Sequence, residues 1–180
     1  MAAEPIQVQP TGLRRLRLER FRPGCAPLVA SWVRDAREAY WLAPHSPPPI
    51  TPASVLGWAS PGRRPFQLVG AGAAPVAYGE INVLNAERAE YWLGHLIVDP
   101  AQRGRRHGVR LVRELVRFGF AALAASRISL VVFEDNENAI ACYRSAGMRD
   151  DGREFHRFAA CGTSASLLRM AVSRGGPSQP

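Results

Sequence analysis

Residues 96–111, LIVDPAQRGRRHGVRL, constrain the fold of this chain more than any other stretch. Leu96, Ile97 and Val98 are apolar strand formers, and Asp99–Pro100 stops them at a turn. The segment Arg103-Gly104-Arg105-Arg106-His107-Gly108 follows and opens directly into an amphipathic helical pattern beginning at Val109. A strand, a tight glycine-containing loop and a helix N-terminus in succession make a geometry suited to anions. The unbonded N–H groups of the first helical turn and the positive end of the helix dipole converge on one point. Glycine lets backbone approach a phosphate with no Cβ in the way.

A second segment, residues 128–148 (ISLVVFEDNENAIACYRSAGM), pairs an apolar strand with a short helix carrying Asn136, Ala139, Tyr143 and Gly147. Together the two segments resemble the GNAT superfamily of acyl-CoA N-acyltransferases. Its pyrophosphate loop reads Gln/Arg-x-x-Gly-x-Gly/Ala after a strand ending near Val-Asp-Pro, and here falls on Arg103 to Gly108. Its later helix reads Asn-x-x-Ala-x-x-x-Tyr-x-x-x-Gly-Phe, and here falls on Asn136, Ala139, Tyr143, Gly147 and Met148, with Met in place of Phe. The resemblance spans Val76–Met148. Arg106 departs from it, standing where the family's loop has its central glycine.

Composition sets the broad class. At 180 residues, 47% hydrophobic and 21% charged, the chain reads as one ordinary globular domain. The expected organisation is a flexible tail over residues 1–12, a domain over 13–173 and a second tail over 174–180. The net charge of +8, from 23 basic and 15 acidic residues, favours anionic partners such as a phosphorylated cosubstrate. No nucleic-acid recognition motif accompanies it, and nucleic acid is not an expected partner. Cys25, Cys142 and Cys161 show neither CxxC nor ligand spacing and read as reduced thiols, with no metal expected. No signal-peptide core and no bilayer-length apolar run is present, so the expected location is cytoplasmic, without membrane, as a monomer or homodimer.

Along the chain, Leu13, Leu16, Leu18 and Phe21 suggest a first strand, and Ala26 to Tyr40 a single helix facing the core through Leu28, Val29, Trp32, Val33, Ala36 and Tyr40. Five prolines in residues 43–52 exclude helix. Thr51 caps a short helix with Pro52 at its first position. Strands are expected over Phe66–Val69, Val76–Val83 and Tyr91–Val98. Strict alternation puts Tyr78, Glu80 and Asn82 on one face, and Trp92, Gly94, Leu96 and Val98 opposite Tyr91, Leu93, His95 and Ile97. The helix after the loop buries Val109, Val112, Val116, Phe120 and Leu123, with Leu111 and Leu115 beside them. Its outer face carries Arg110, Arg113, Glu114 and Arg117. Ile128–Phe133 is apolar on both faces, as in a central strand covered twice. The helix from Asn136 ends at Gly147, and Glu154–Ala160 with Leu167–Val172 suits a terminal hairpin. The fold class is α+β (α/β layered), a mixed sheet flanked by helices, as the family resemblance also implies.

The resemblance implies an acetyl-CoA-dependent N-acetyltransferase that passes the acetyl group directly to an amine in a ternary complex. The acceptor would be a small amine, an amino sugar, or a peptide or protein amine. Backbone groups of Leu96, Ile97 and Val98 would hold the pantetheine arm. Arg103, Gly104, Arg105, Arg106, His107, Gly108 and Val109 would form the pyrophosphate loop, and Asn136 would contact the cosubstrate. Tyr143 would protonate the departing sulfur, a role open to a phenol still protonated at neutral pH. Against these stand plain structural readings: Tyr143 packed on the core, Asn136 as a helix cap. Glu80, acting through a water, is the first choice for the base, against a strand carboxylate paired to arginine. His95 is the other candidate, since imidazole titrates near neutrality. The branch of the family that acetylates ribosomal-protein N-termini carries a glutamate where this chain has Val131. Arg106 would either crowd the pyrophosphate or add a charge-assisted contact to it. The rival reading is a non-catalytic acyl-CoA-binding module of the same fold.

Overall fold

The computed structural model describes residues 16–59, 62–70, 72–158 and 162–175. The expected tail over 1–12, residues 13–15 of the expected first strand, and Cys161 therefore lie outside the described residues. Seven strands form one sheet: β1 (Arg17–Arg20), β2 (Pro65–Val69), β3 (Pro75–Asn85), β4 (Glu90–Val98), β5 (Arg127–Phe133), β6 (Arg149–Phe158) and β7 (Thr163–Ser173). Their spatial order is β1-β2-β3-β4-β5-β7-β6. Each neighbouring pair is antiparallel except β4 and β5, which run parallel. The helices are α1 (Ala26–Ser31), α2 (Ala36–Leu42), α3 (Pro52–Trp58), α4 (His107–Ala122) and α5 (Glu137–Ser145). This is the α+β mixed sheet expected from the sequence.

The parallel pair is the hinge of the architecture. Its ladder covers Glu90↔Arg127, Tyr91↔Ile128 and Trp92↔Ser129 and goes no further. Beyond it, residues 93–98 of β4 and 130–133 of β5 run on without pairing to each other, so the sheet opens along one line. One face is closed by α4. There Leu111, Val112 and Leu115 pack with Ile81, Leu93, Ile128 and Leu130, each buried aliphatic side chain contributing roughly 1.5–3 kcal/mol. The helix comes so close at Gly119 that an added Cβ would lie 2.5 Å from the Ile128 side chain. The other face is closed by α1, α2 and α3, whose Val29, Ala39, Val55 and Trp58, with Trp32 just after α1, pack on Tyr78 and Ile97.

Five expectations are corrected. The single helix over Ala26–Tyr40 is two, because Asp35 adopts extended backbone and its carboxylate accepts from Glu38 N–H at 2.8 Å, starting a new helix. Within α4 the deepest residues are Leu111, Val112, Leu115 and Gly119. Glu114, expected on the outer face, is buried, with ion pairs to Arg110 and Arg117. Val131 of β5 is 42% exposed, so that strand is not covered on both faces. The terminal hairpin begins earlier in both strands than the pattern suggested, at Arg149 and Thr163.

The fifth correction shapes the site. Alternation on β4 fails at His95, whose φ of +47° places it in the left-handed region. The β3–β4 register shifts there, from Glu80↔Gly94 to Tyr78↔Ile97, the mark of a bulge. As a result Leu93 packs in the α4 core, whereas Ile97 packs in the core on the opposite face, and Leu96 and Val98 take over on the α4 side.

Candidate active site

The loop between β4 and α4 begins with Asp99, whose carboxylate accepts from Ala101 N–H at 2.9 Å and so fixes a short 3-10 turn over Pro100–Gln102. Gly104 (φ +78°) and Arg106 (φ +60°, ψ +19°) then take left-handed backbone and swing the chain into α4. No side chain caps the helix. Its first i→i−4 bond is Arg110 N–H to Arg106 O, leaving the N–H groups of His107, Gly108 and Val109 without partners among the described residues. The guanidinium groups of Arg105 and Arg106 are exposed and form no ion pair or hydrogen bond among the described residues. Burial, and then the charge of Arg105, lowers the pKa of His107, so the ring stays neutral at neutral pH. Gly108 is needed for space, since a Cβ there would sit 2.9 Å from Cys142 Sγ on α5. Free amides, two free cations and a glycine at the closest approach are the donor set that a pyrophosphate requires.

Arg103 has a different position from its loop neighbours. Its guanidinium donates to Glu38 of α2 at 2.6 and 3.3 Å, to Val98 O at 3.3 Å and to Trp32 O at 3.4 Å. Partial burial opposes the charge of Glu38, but hydrogen bonds from Arg103 and Arg34 win and hold its carboxyl at about 2. Arg103 thus fastens the loop and the end of β4 to α2. The sequence signal for its partner was Asp35 with Glu38 three residues on, the spacing of a capped helix start.

On the far side of β4 lies a polar cluster in an otherwise apolar layer. Glu80 is 0% exposed. Its Oε1 accepts from the Tyr78 hydroxyl at 2.9 Å and lies 2.9 Å from His95 Nδ1, and its Oε2 accepts from Asn82 Nδ2 at 2.8 Å. Asn82 Oδ1 in turn accepts from Arg64 N–H at 2.9 Å. Burial, followed by the charge of Glu80, drives the Tyr78 pKa far up, so its hydroxyl is a permanent donor. Trp58 of α3 stacks on the His95 ring, 4.2 Å between centroids and 5° from parallel. The sequence put Tyr78, Glu80 and Asn82 on one face correctly. It missed His95 joining them, which only the bulge achieves, and Trp58, which no local pattern tied to β4.

The second motif organises α5. Asn136 is its N-cap, Oδ1 accepting from Ala139 N–H at 3.3 Å. Gly147 (φ +101°) ends it, and Met148 N–H returns to Tyr143 O at 3.0 Å. Tyr143 packs against the α4-side core. Burial chiefly, and Cys142 beside it, raises its pKa, so the phenol keeps its proton. Its hydroxyl has no hydrogen-bond partner among the described residues. Burial likewise pushes the Cys142 thiol up to about 11, which removes it as a nucleophile near neutrality. Among the described residues there is no grouping of His, Cys, Asp and Glu suited to a metal, and no helix long and apolar enough to cross a membrane.

A sheet that opens beside an uncapped helix N-terminus, with exposed guanidinium groups in the loop before it, has the geometry to hold an elongated phosphorylated ligand. The family follows from comparison: the model of the Acetyltransferase (GNAT) family matches residues 27–148, and the chain belongs to that family. It is 30% identical over 93 residues to the spermidine N(1)-acetyltransferase of Escherichia coli (strain K12), covering 52% of this chain and 48% of that protein. It is 36% identical over 80 residues to the N-alpha-acetyltransferase RimI of Mycobacterium tuberculosis, covering 44% of this chain and 48% of that protein. The matches therefore span about half the length of these curated relatives. Among solved structures, spermidine N-acetyltransferase from Vibrio cholerae in complex with CoA and spermine superimposes with a TM-score of 0.72, at 17% identity over 88% of this chain and 95% of that one. The aminoglycoside acetyltransferase AAC(6')-Ib in complex with ribostamycin and coenzyme A gives 0.71, at 19% identity over 88% of this chain and 93% of that one. These two likenesses establish the fold.

Proposed function

We propose that the protein is an acetyl-CoA-dependent N-acetyltransferase that delivers the acetyl group directly to a primary amine. The observation that carries this reading is the opening between β4 and β5, flanked by the free amides of α4. When bound, acetyl-CoA supplies the acetyl thioester that the amine attacks. The amides of His107, Gly108 and Val109, with Gly104, Arg105 and Arg106, hold the pyrophosphate, while Arg103 secures the loop from behind. The unpaired edge of β4 at Leu96, Ile97 and Val98 holds the arm and polarises the carbonyl, and Asn136 contacts the cosubstrate. Tyr143, protonated and free of other partners, gives its proton to the departing sulfur. The Glu80 cluster receives the proton of the amine. The amines in the relatives' names, spermidine and aminoglycosides among them, support a small amine or amino sugar as acceptor, and the RimI match supports a peptide amine.

The test is calorimetric titration of the purified chain with acetyl-CoA, followed by CoA-release assays against polyamines, aminoglycosides and peptides with free N-termini. Binding in the micromolar range (about −8 kcal/mol) and release dependent on one amine class are expected. Failure to bind acetyl-CoA, or binding with no amine-dependent release, refutes the reading.

A further inference from the structure

Building on that acetyltransferase reading, we propose that His95 takes the proton from the acceptor amine and that Glu80 is the residue that positions it. Glu80 is poorly placed to act itself. It has no exposed surface, and a carboxylate with about four acceptor sites already meets Tyr78, Asn82 and His95. His95 is placed differently: its side chain is 19% exposed. With Nδ1 on the buried carboxylate, that exposure belongs to the far edge of the ring. Nε2 has no hydrogen-bond partner among the described residues and is not among the buried polar atoms that lack one. The carboxylate holds the proton on Nδ1, which leaves the Nε2 lone pair as the acceptor.

The backbone supports the same assignment. A non-glycine residue at φ +47° holds strained, left-handed backbone. Its effect here is to move His95 from the apolar α4 face, where alternation would place it beside Leu93, to the face of Glu80. Trp58, stacked at 4.2 Å, fixes the plane of the ring. His95 is also the neighbour of Leu96, the first residue of the strand segment assigned to the cosubstrate. The titratable and charged groups around the ring are Glu80 and Tyr78 from β3, and Arg63 from the turn before β2, whose charge reaches Tyr78. From α3 the ring meets the uncharged indole of Trp58. In the step itself, one proton passes from the acceptor nitrogen to Nε2 as that nitrogen bonds the acetyl carbon. The carbon–sulfur bond breaks with its electron pair on sulfur, which takes the Tyr143 proton. His95 then returns its proton to water, and Tyr143 regains one from water.

The experiment has a ligand-free arm and a kinetic arm. Nitrogen NMR of the ligand-free protein should find neutral His95 protonated on Nδ1, and Glu80→Gln should erode that preference, because an amide can donate to Nδ1 as well as accept from it. An Nε2-protonated ring, or a tautomer unchanged by Glu80→Gln, overturns the positioning role. In turnover, His95→Ala should lower kcat roughly 10²–10⁴-fold, keep acetyl-CoA affinity, abolish the acid limb of the pH profile and regain activity with added imidazole. Glu80→Gln should retain more activity than His95→Ala. A His95→Ala protein within threefold of wild type, or Glu80→Gln inactive while His95→Ala turns over, refutes the proposal and leaves the acetyltransferase reading standing. A wild-type protein that acetylates no amine overturns both.

Discussion

Replacing Arg106 by glycine separates the two things this residue does. Its backbone sits at φ +60°, ψ +19° at the N-cap of α4, a left-handed conformation that costs a side-chain-bearing residue roughly 1–2 kcal/mol. Glycine removes that cost but gives the unfolded chain more freedom, a loss of roughly 0.5–1 kcal/mol. The net expectation is a gain of about 0.5–1 kcal/mol, which for a chain of this length raises Tm by about 1–4 °C. The exposed guanidinium beside the free α4 amides is lost at the same time. If it meets the pyrophosphate, acetyl-CoA binding weakens by about 1.5–3 kcal/mol, the worth of a hydrogen bond to a charged group. Thermal melting without ligand and calorimetry with it measure both numbers on one protein. A lower Tm refutes the strain argument, and tighter acetyl-CoA binding shows that the arginine obstructs the loop.

Three other substitutions have defined outcomes. Tyr143→Phe should lower kcat at least about 10²-fold with acetyl-CoA affinity and Tm nearly unchanged, because the hydroxyl has no hydrogen-bond partner among the described residues; an unchanged kcat removes it as the acid. Gly108→Val brings a side chain against Cys142 Sγ, and overpacking of this kind costs about 1–3 kcal/mol; urea unfolding should show that loss, and calorimetry should show acetyl-CoA binding abolished. Glu38→Gln should cost about 1 kcal/mol at pH 7, a screened value for an ion pair near the surface. Because folding depresses the Glu38 pKa to about 2, that stabilisation is present above the ordinary carboxylate value of 4.5 and fades as pH falls from there toward 2. Denaturation of both proteins from pH 7 down to pH 2 should therefore show the gap closing, and a gap independent of pH contradicts the pairing.

The parts of this fold that were legible in the sequence are those written in local pattern. The strand–loop–helix around Arg103–Gly108, the Thr51 cap of α3, the Asn136 cap and Gly147 end of α5, and the shared face of Tyr78, Glu80 and Asn82 each depend on neighbours within a few residues. What was missed depends on distant partners or on one irregular residue. The break between α1 and α2 hid inside a continuous apolar spacing, although Asp35 and Glu38 carried its signal. The bulge at His95 defeated alternation, because nothing in the residues around it announces a left-handed backbone. The contacts Glu38–Arg103 and Trp58–His95 join segments far apart in the chain, and only the folded sheet with its covering helices brings them together. Val131, apolar yet 42% exposed, read as core because the sequence cannot reveal where two paired strands part.

The central claim, direct acetyl transfer to an amine, is tested most directly by measuring CoA released and amine acetylated in the same reaction, with the intact mass of the protein followed alongside. The account predicts equal amounts of the two products and a protein that never carries an acetyl group, Cys142 included. Release of CoA without acetylated amine, or an acetylated protein that forms and decays during turnover, would contradict it.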